Sequence, residues 1–298
     1  MPGFTSDSDV QAIAFSKDGA AIAGMCSDNK VRLWDARSGT LRHTVALNAD
    51  ERLAAMPTGT GMIAVTAKDG AVEFRELETG HTSKKFPAVS RASRRSTISP
   101  NSMVLARSTR EAGNSRDEVM RLWDPAGKER FAVPAGIGGT SALAVSPDGK
   151  FLAAGSYDTD VRIWNTRDGE LVRRINEVLV ATFAMEFTPD GKFLVTGGVD
   201  RTLYFWDTQT WKLARKLSGQ PEMISAIAIA ASGRHIATGG FSEFTQERPV
   251  KVLLWDTGSN AVVRSFDAPR IVQSLAFSPD GAMLAASWGK KAVQVWSV

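Results

Sequence analysis

Ser146–Asn165 reads SPDGKFLAAGSYDTDVRIWN. Its Ser-Pro-Asp-Gly start is a turn signal, and Asp-Gly supplies the positive-φ position of a tight hairpin. A short apolar run follows, then a polar turn around Asp158, then an alternating run that closes on Trp164. Two short strands set off by turns in this way belong to an antiparallel all-β unit. Most of the remaining chain is the same unit again.

The register can be followed with two markers. The first residues of the hairpin turns are Ser16, Pro57, Ser99, Ser146, Thr188, Ala230 and Ser278. The closing positions are Trp34, Arg75, Trp123, Trp164, Trp206, Trp255 and Trp296. Turn-to-closing spacings are 18, 18, 24, 18, 18, 25 and 18, and closing-to-turn spacings are 23 or 24 throughout. A period of roughly 40–45 residues holding four short strands describes a propeller blade, which buries its faces only by stacking on neighbours. The spacing predicts an all-β, seven-bladed propeller of four-stranded antiparallel blades, with residues 1–298 forming one domain and no helix beyond about two turns.

On these residues the chain resembles the WD40-repeat family over its whole length. Trp-Asp occurs at Trp34–Asp35, Trp123–Asp124, Trp206–Asp207 and Trp255–Asp256. Asn165 and Ser297 replace the Asp in two copies, and the second copy has Arg75–Glu76 instead. The blade-turn aspartate is present as Asp28, Asp69, Asp117, Asp158 and Asp200, with Pro249 and Lys290 in its place in the last two copies. The Gly-His dipeptide of the family is missing before every inner strand, so the resemblance implies that its Asp-His-Ser/Thr-Trp tetrad cannot form in full. Blades held mainly by apolar packing are expected, with aspartates capping tight turns.

Only Ser297 and Val298 follow Trp296, too few for an outer strand. Aligned on the turn marker, Phe4 falls where Val45 and Phe266 fall in other outer strands. Residues of about 2–6 are therefore expected to complete blade 7, which removes an open central edge. That strand is short, which suggests residues trimmed from upstream. With 43% hydrophobic residues and one cysteine, Cys26, the chain is globular and has no internal disulfide framework. No apolar run approaches the ~20 residues of a membrane helix. A cytoplasmic, monomeric ring is expected; an exported chain that has lost a signal peptide is the alternative.

Catalytic and metal chemistry find no footing. His43, His81 and His235 lie in different blades, and zinc-type Cys/His spacings are absent. No nucleophile elbow, P-loop or dinucleotide fingerprint has a strand–turn–helix setting. No enzyme activity, metal or cofactor is expected.

Binding signals are better. The two long spacings place extra residues at Thr109–Asp117 and Phe241–Pro249, between the second and third strands of blades 3 and 6. Alternating strand direction puts both on one rim, together with the segments that enter the inner strands. In the resembling family that rim is the usual partner face. Five residues before each turn marker, at a position that there often faces the channel mouth, stand Gln11, Arg52, Arg94, Ser141, Phe183, Ser225 and Gln273. Arg52, Arg94 and Arg116 are expected on one side of the mouth, and Tyr157, Phe183, Phe241, Phe244 and Trp288 on the other. Arginine and large aromatics dominate interface energetics. The expected function is a non-catalytic scaffold whose rim binds a protein or peptide, acidic and carrying an apolar anchor. The alternative is a small-ligand or enzymatic propeller using the channel mouth. Nucleic acid is disfavoured: the pI is about 9.3, but +4 over 298 residues is a weak basic footprint. Trp211 is expected to pack on the surface of the opposite rim.

Overall fold

The computed structural model describes residues 3–48, 51–55, 62–67, 71–77, 79, 81–86, 93–98, 105–110, 117–124, 126–178, 180–242, 248–289 and 291–298. Among these there is no helix; the strands form seven four-stranded antiparallel sheets. Their inner strands are Val10–Phe15, Arg52–Ala55, Ser93–Ile98, Thr140–Val145, Thr182–Phe187, Met223–Ile229 and Ser274–Phe277. Blade 4 shows the common order, running outward through Thr140–Val145, Phe151–Ser156, Val161–Asn165 and Leu171–Ile175. In blade 7 the outermost strand is Phe4–Thr5, with Phe4 opposite Val293 and Thr5 opposite Ala292.

Period-2 alternation sends side chains to both faces of each sheet. On blade 5, Met185, Leu194 and Trp206 face blade 4 and pack on Ala153 and Ile163. From the other face, Val195, Phe205 and Leu217 meet Ile224, Ile236 and Trp255 of blade 6. Each of the seven seams holds one such apolar cluster, so every sheet is buried on both faces. Ring closure is the only arrangement that gives all seven sheets two neighbours.

The repeated polar residues hold the turns. Ser146 Oγ donates to Asp148 Oδ1 at 2.7 Å and accepts from the Phe151 amide at 2.9 Å, and the Lys150 amide donates to the same Asp148 oxygen. The aspartate after each tryptophan caps the next turn: Asp207 accepts from the Gln209 and Thr210 amides, and Asp256 from Gly258 and Ser259. Asn165 does the same for Arg167 at 2.8 Å. Blade-turn aspartates do more than cap. Asp28 takes both terminal nitrogens of Arg32, which brings its pKa down to about 2, and Asp158 takes those of Arg162.

Polar contacts inside the blades exceed the sequence expectation. Trp206 and Trp255 donate Nε1–H to Thr196 and Thr238 Oγ1 at 3.0 and 2.8 Å. Thr238 donates onward to Gln220 at 2.6 Å, and Gln220 follows Gly219 just before the inner strand Met223–Ile229. Glutamine thus supplies a third polar member where the family's histidine is missing.

Blade 2 replaces its tryptophan with an ion pair. Arg75 faces blade 1 and donates to Glu51 at 2.5 and 3.2 Å and to Glu73 at 2.7 Å. The guanidinium holds both carboxyls below their ordinary range. Trp211 also departs from expectation. It is 5% exposed, packs edge-on against Phe151 of blade 4 with centroids 5.0 Å apart, and takes the turn's left-handed conformation at φ 54°. It is a seam residue, not surface packing.

Candidate functional site

The rim can be located from strand ends. In blade 3 the second strand ends at Arg110 and the third begins at Asp117; in blade 6 the corresponding residues are Phe241 and Val250. Antiparallel alternation places both connections on the rim that also carries the Tyr157 turn and the starts of the inner strands. Residues 111–116 and 243–247 lie outside the described residues, so the structure does not describe Arg116 or Phe244. The strands containing Arg52 and Arg94 are described, but the side chains of these two arginines are not.

Most inner strands are irregular at one position, and it is the one singled out by the sequence register. The ladder skips between Val10 and Ala12, Ser93 and Arg95, Thr140 and Ala142, Thr182 and Ala184, and Ile224 and Ala226. The bulged residues are therefore Gln11, Arg94, Ser141, Phe183 and Ser225. A bulge re-aims its side chain and sharpens the local twist. Blade 2 differs: its skip falls on Ala54, and Arg52 stays in the ladder opposite Thr66.

The bulges do two jobs. Ser141 and Ser225 are turned along the ring. Ser141 Oγ donates to the Thr182 carbonyl at 2.6 Å, and Ser225 Oγ to that of Val272 at 3.1 Å, tying one blade to the next. These two positions stitch seams. In blade 5 the bulge instead presents a ring. Phe183 lies 6.1 Å from Tyr157 and 5.8 Å from Phe241, so three successive blades contribute to one aromatic strip. Phe183 and Phe241 are half-buried, whereas Tyr157 is 51% exposed. Trp288 does not join them. It is 7% exposed, packed between blades 6 and 7 with its ring 6.5 Å from Trp296.

Beside the strip, the inner strands of blades 4 to 7 border a cavity of about 210 Å³ lined in part by Leu143, Phe183, Ser225 and Gln273. Pockets for small ligands typically run from about 300 to 1,000 Å³. A hollow of about 530 Å³ lies on the outer flank of blades 4 and 5, between Val178, Val180, Tyr204 and Leu213. Its phenol is already committed, because Tyr204 donates to Asp200 at 2.5 Å. Among the described residues, no group of three or more His, Cys, Asp or Glu is arranged to hold a metal. No helix among them is long and apolar enough to cross a membrane.

Sequence reasoning missed one inner-strand residue. Two positions before each turn marker stand Ala14, Ala55, Thr97, Ala144, Glu186, Ala228 and Ala276. Glu186 is the lone carboxylate in that series. It accepts the Ile229 amide of blade 6, and burial pushes its pKa up to about 8. The register held the signal, because only blade 5 breaks the run of small residues.

Comparison with known proteins bears on the same geometry. The family model described as WD domain, G-beta repeat matches residues 136–165, 178–207 and 260–297. One described as the anaphase-promoting complex subunit 4 WD40 domain matches residues 2–58. The chain is 24% identical to WD repeat-containing protein slp1 of Schizosaccharomyces pombe, over 56% of this chain and 35% of the relative. It is 27% identical to the serine-threonine kinase receptor-associated protein of Gallus gallus, over 57% of this chain and 46% of that one. Nuclear distribution protein PAC1 of Coccidioides posadasii is 26% identical, over 59% and 42%. The matches thus span about a third to a half of these relatives' length.

Proposed function

Since the chain belongs to the WD40-repeat family and folds as a seven-bladed β-propeller, we propose that it is a non-catalytic scaffold that binds another protein on one rim. The observation that carries this reading is the aromatic strip Tyr157–Phe183–Phe241, built across three blades at ring distances of 6.1 and 5.8 Å. Rings held in place by a rigid sheet lose little entropy on binding, and a partly desolvated aromatic cluster suits an apolar anchor. The partner is acidic. Lys85, Arg91, Arg94, Arg95 and Arg110 fall in one stretch without an acid, and clustered cations speed encounter with an acidic surface.

The relatives support the same class of function, since one is described as receptor-associated. The test is capture of partners by the intact ring and by an Arg94→Glu/Arg116→Glu ring. The expected result is a partner retained by the first, released by rising salt and lost by the second. Equal retention by both rings would remove the electrostatic half of the proposal.

A further inference from the structure

We propose that Arg107 anchors a site for a compact oxyanion, a phosphate or a carboxylate, in the seam between blades 2 and 3. The proposal is independent of the rim reading and rests on different residues.

Arg107 lies on Leu105–Arg110, opposite Ser96 on one side and Arg121 on the other. Leu105 and Trp123, two positions along on the same face, pack with Ala64, Val72, Phe74 and Phe86 of blade 2. Alternation therefore turns Arg107 into the same seam. In blades 5 and 6 the corresponding register position holds Thr196 and Thr238, which accept the tryptophan Nε1–H. Blade 3 puts a guanidinium where those blades have a hydroxyl.

That guanidinium is 2% exposed, and its Nε and Nη1 have no hydrogen-bond partner among the described residues. Burial alone acts on it and lowers its pKa to about 10, still far above neutrality, so the side chain stays charged. Three other shielded arginines are handled differently. Arg32 is paired with Asp28, Arg75 with Glu51 and Glu73, and Arg162 with Asp158 and Asp160. Arg75 lies in the neighbouring seam, so the contrast is between adjacent sites in one ring. Leaving a buried ion unpaired costs far more than leaving one hydrogen bond unmade. Lys84 adds a second cation to this seam. It stands opposite Phe74 on the face turned to blade 3, with Nζ 5.1 Å from the Phe86 ring.

Two orphaned N–H nitrogens on a planar, permanently charged fork match an anion that offers several oxygens, and phosphate and carboxylate fit best. Leu105, Trp123, Phe74 and Phe86 pack the seam beside it, which favours a compact group over an extended chain.

Thermal melting of the full chain at fixed pH and ionic strength, in chloride, inorganic phosphate or acetate, tests the proposal. Wild type is expected to melt on the order of 2–4 °C higher in phosphate or acetate than in chloride, with a saturable dependence on the anion. Arg107→Met removes the charge at similar volume, and Arg107→Thr restores the hydroxyl found in blades 5 and 6. Both are expected to lose the anion-specific rise. A response to acetate as well as phosphate identifies a carboxylate-type ligand, and a response to phosphate alone identifies a phosphate. General salt effects act on all variants alike, so an equal rise in wild type and Arg107→Met overturns the site. So does a wild type that melts identically in the three salts. If neither variant folds, phosphorus resonance broadening of inorganic phosphate by wild type decides: broadening that chloride does not compete away supports the site, and its absence overturns it.

Discussion

Asn165 stands where four blades carry aspartate, yet it caps its turn through the same oxygen position, accepting from the Arg167 amide. Arg75 shows a substitution of another kind. A tryptophan fills a seam by itself; an arginine in that place needs anions, and Glu51 and Glu73 provide them at 2.5 and 2.7 Å. Both carboxyls are held below their ordinary range, so they release protons on folding. Their stabilisation is complete above the unfolded glutamate pKa of about 4.3 and is lost as pH falls through the lower folded values. Arg75→Met is expected to cost roughly 3 kcal/mol near neutral pH, because it strands the buried Glu51, and progressively less in acid. Chemical unfolding at pH 7 and pH 3.5 measures this; a pH-independent loss would contradict the pairing. Glu186 has the opposite sign. Its folded pKa, about 8, lies above the unfolded value, so its contribution is present below pH ~4.3 and is lost as pH rises through 8. Glu186→Gln is expected to raise the melting temperature at pH 9 relative to wild type and to change it little at pH 5. An equal effect at both pH values would show that Glu186 does not titrate in the fold. Arg75 was visible in the sequence as a broken motif. Its partner was not, because Glu51 lies 24 positions upstream, where the chain enters the inner strand Arg52–Ala55.

At the scale of the element, the inner-strand bulge separates scaffold from surface. One register position is Ser141 or Ser225 where the ring must be tied to the next blade, and Phe183 where an aromatic strip is built. The sequence located this position in five blades but not in the second, where the skip moves to Ala54. It also could not tell a stitching serine from a ligand-facing one, since that depends on which carbonyl of the neighbouring blade comes within reach. Trp211 shows the same limit at a turn. The corresponding turns contain Gly39, Gly127 and Gly169 at φ 72°, 86° and 78°, while Trp211 accepts φ 54° in return for packing on Phe151. Trp211→Ala should lose on the order of 3 kcal/mol of burial and keep the strain. Trp211→Gly should lose roughly 1 kcal/mol less, since glycine takes this conformation freely. Urea unfolding of the pair checks the order; an alanine variant more stable than the glycine variant would refute the strain argument.

At the scale of the molecule, seven seams make seven cores, and the ring has no first or last seam. Blade number and register were legible because turn and closing markers recur at fixed spacing. Seam chemistry was less legible, because residues far apart in sequence set it, as with Trp288, whose ring fills the core between blades 6 and 7. Phe4 is 5% exposed in the seam of blades 7 and 1, with its ring 5.7 Å from Trp34. Removing residues 1–5 is expected to lower the melting temperature by several degrees, since apolar burial is lost and the edge of Ala292–Ser297 is opened. An unchanged melting temperature would mean that this strand adds nothing to closure.

The central claim is that the rim bearing Tyr157, Phe183 and Phe241 holds the partner. Its most direct test is the dissociation rate of a captured partner from the wild-type ring and from rings carrying Tyr157→Ala, Phe183→Ala, or Arg167→Ala with Gln209→Ala in the exposed turns of the opposite rim. Loss of a hot-spot aromatic worth about 1–3 kcal/mol corresponds to roughly 5- to 150-fold faster dissociation. The account predicts that acceleration for Tyr157→Ala or Phe183→Ala and none for the opposite-rim variant. Acceleration confined to the opposite-rim variant, with the aromatic variants at the wild-type rate, would contradict it.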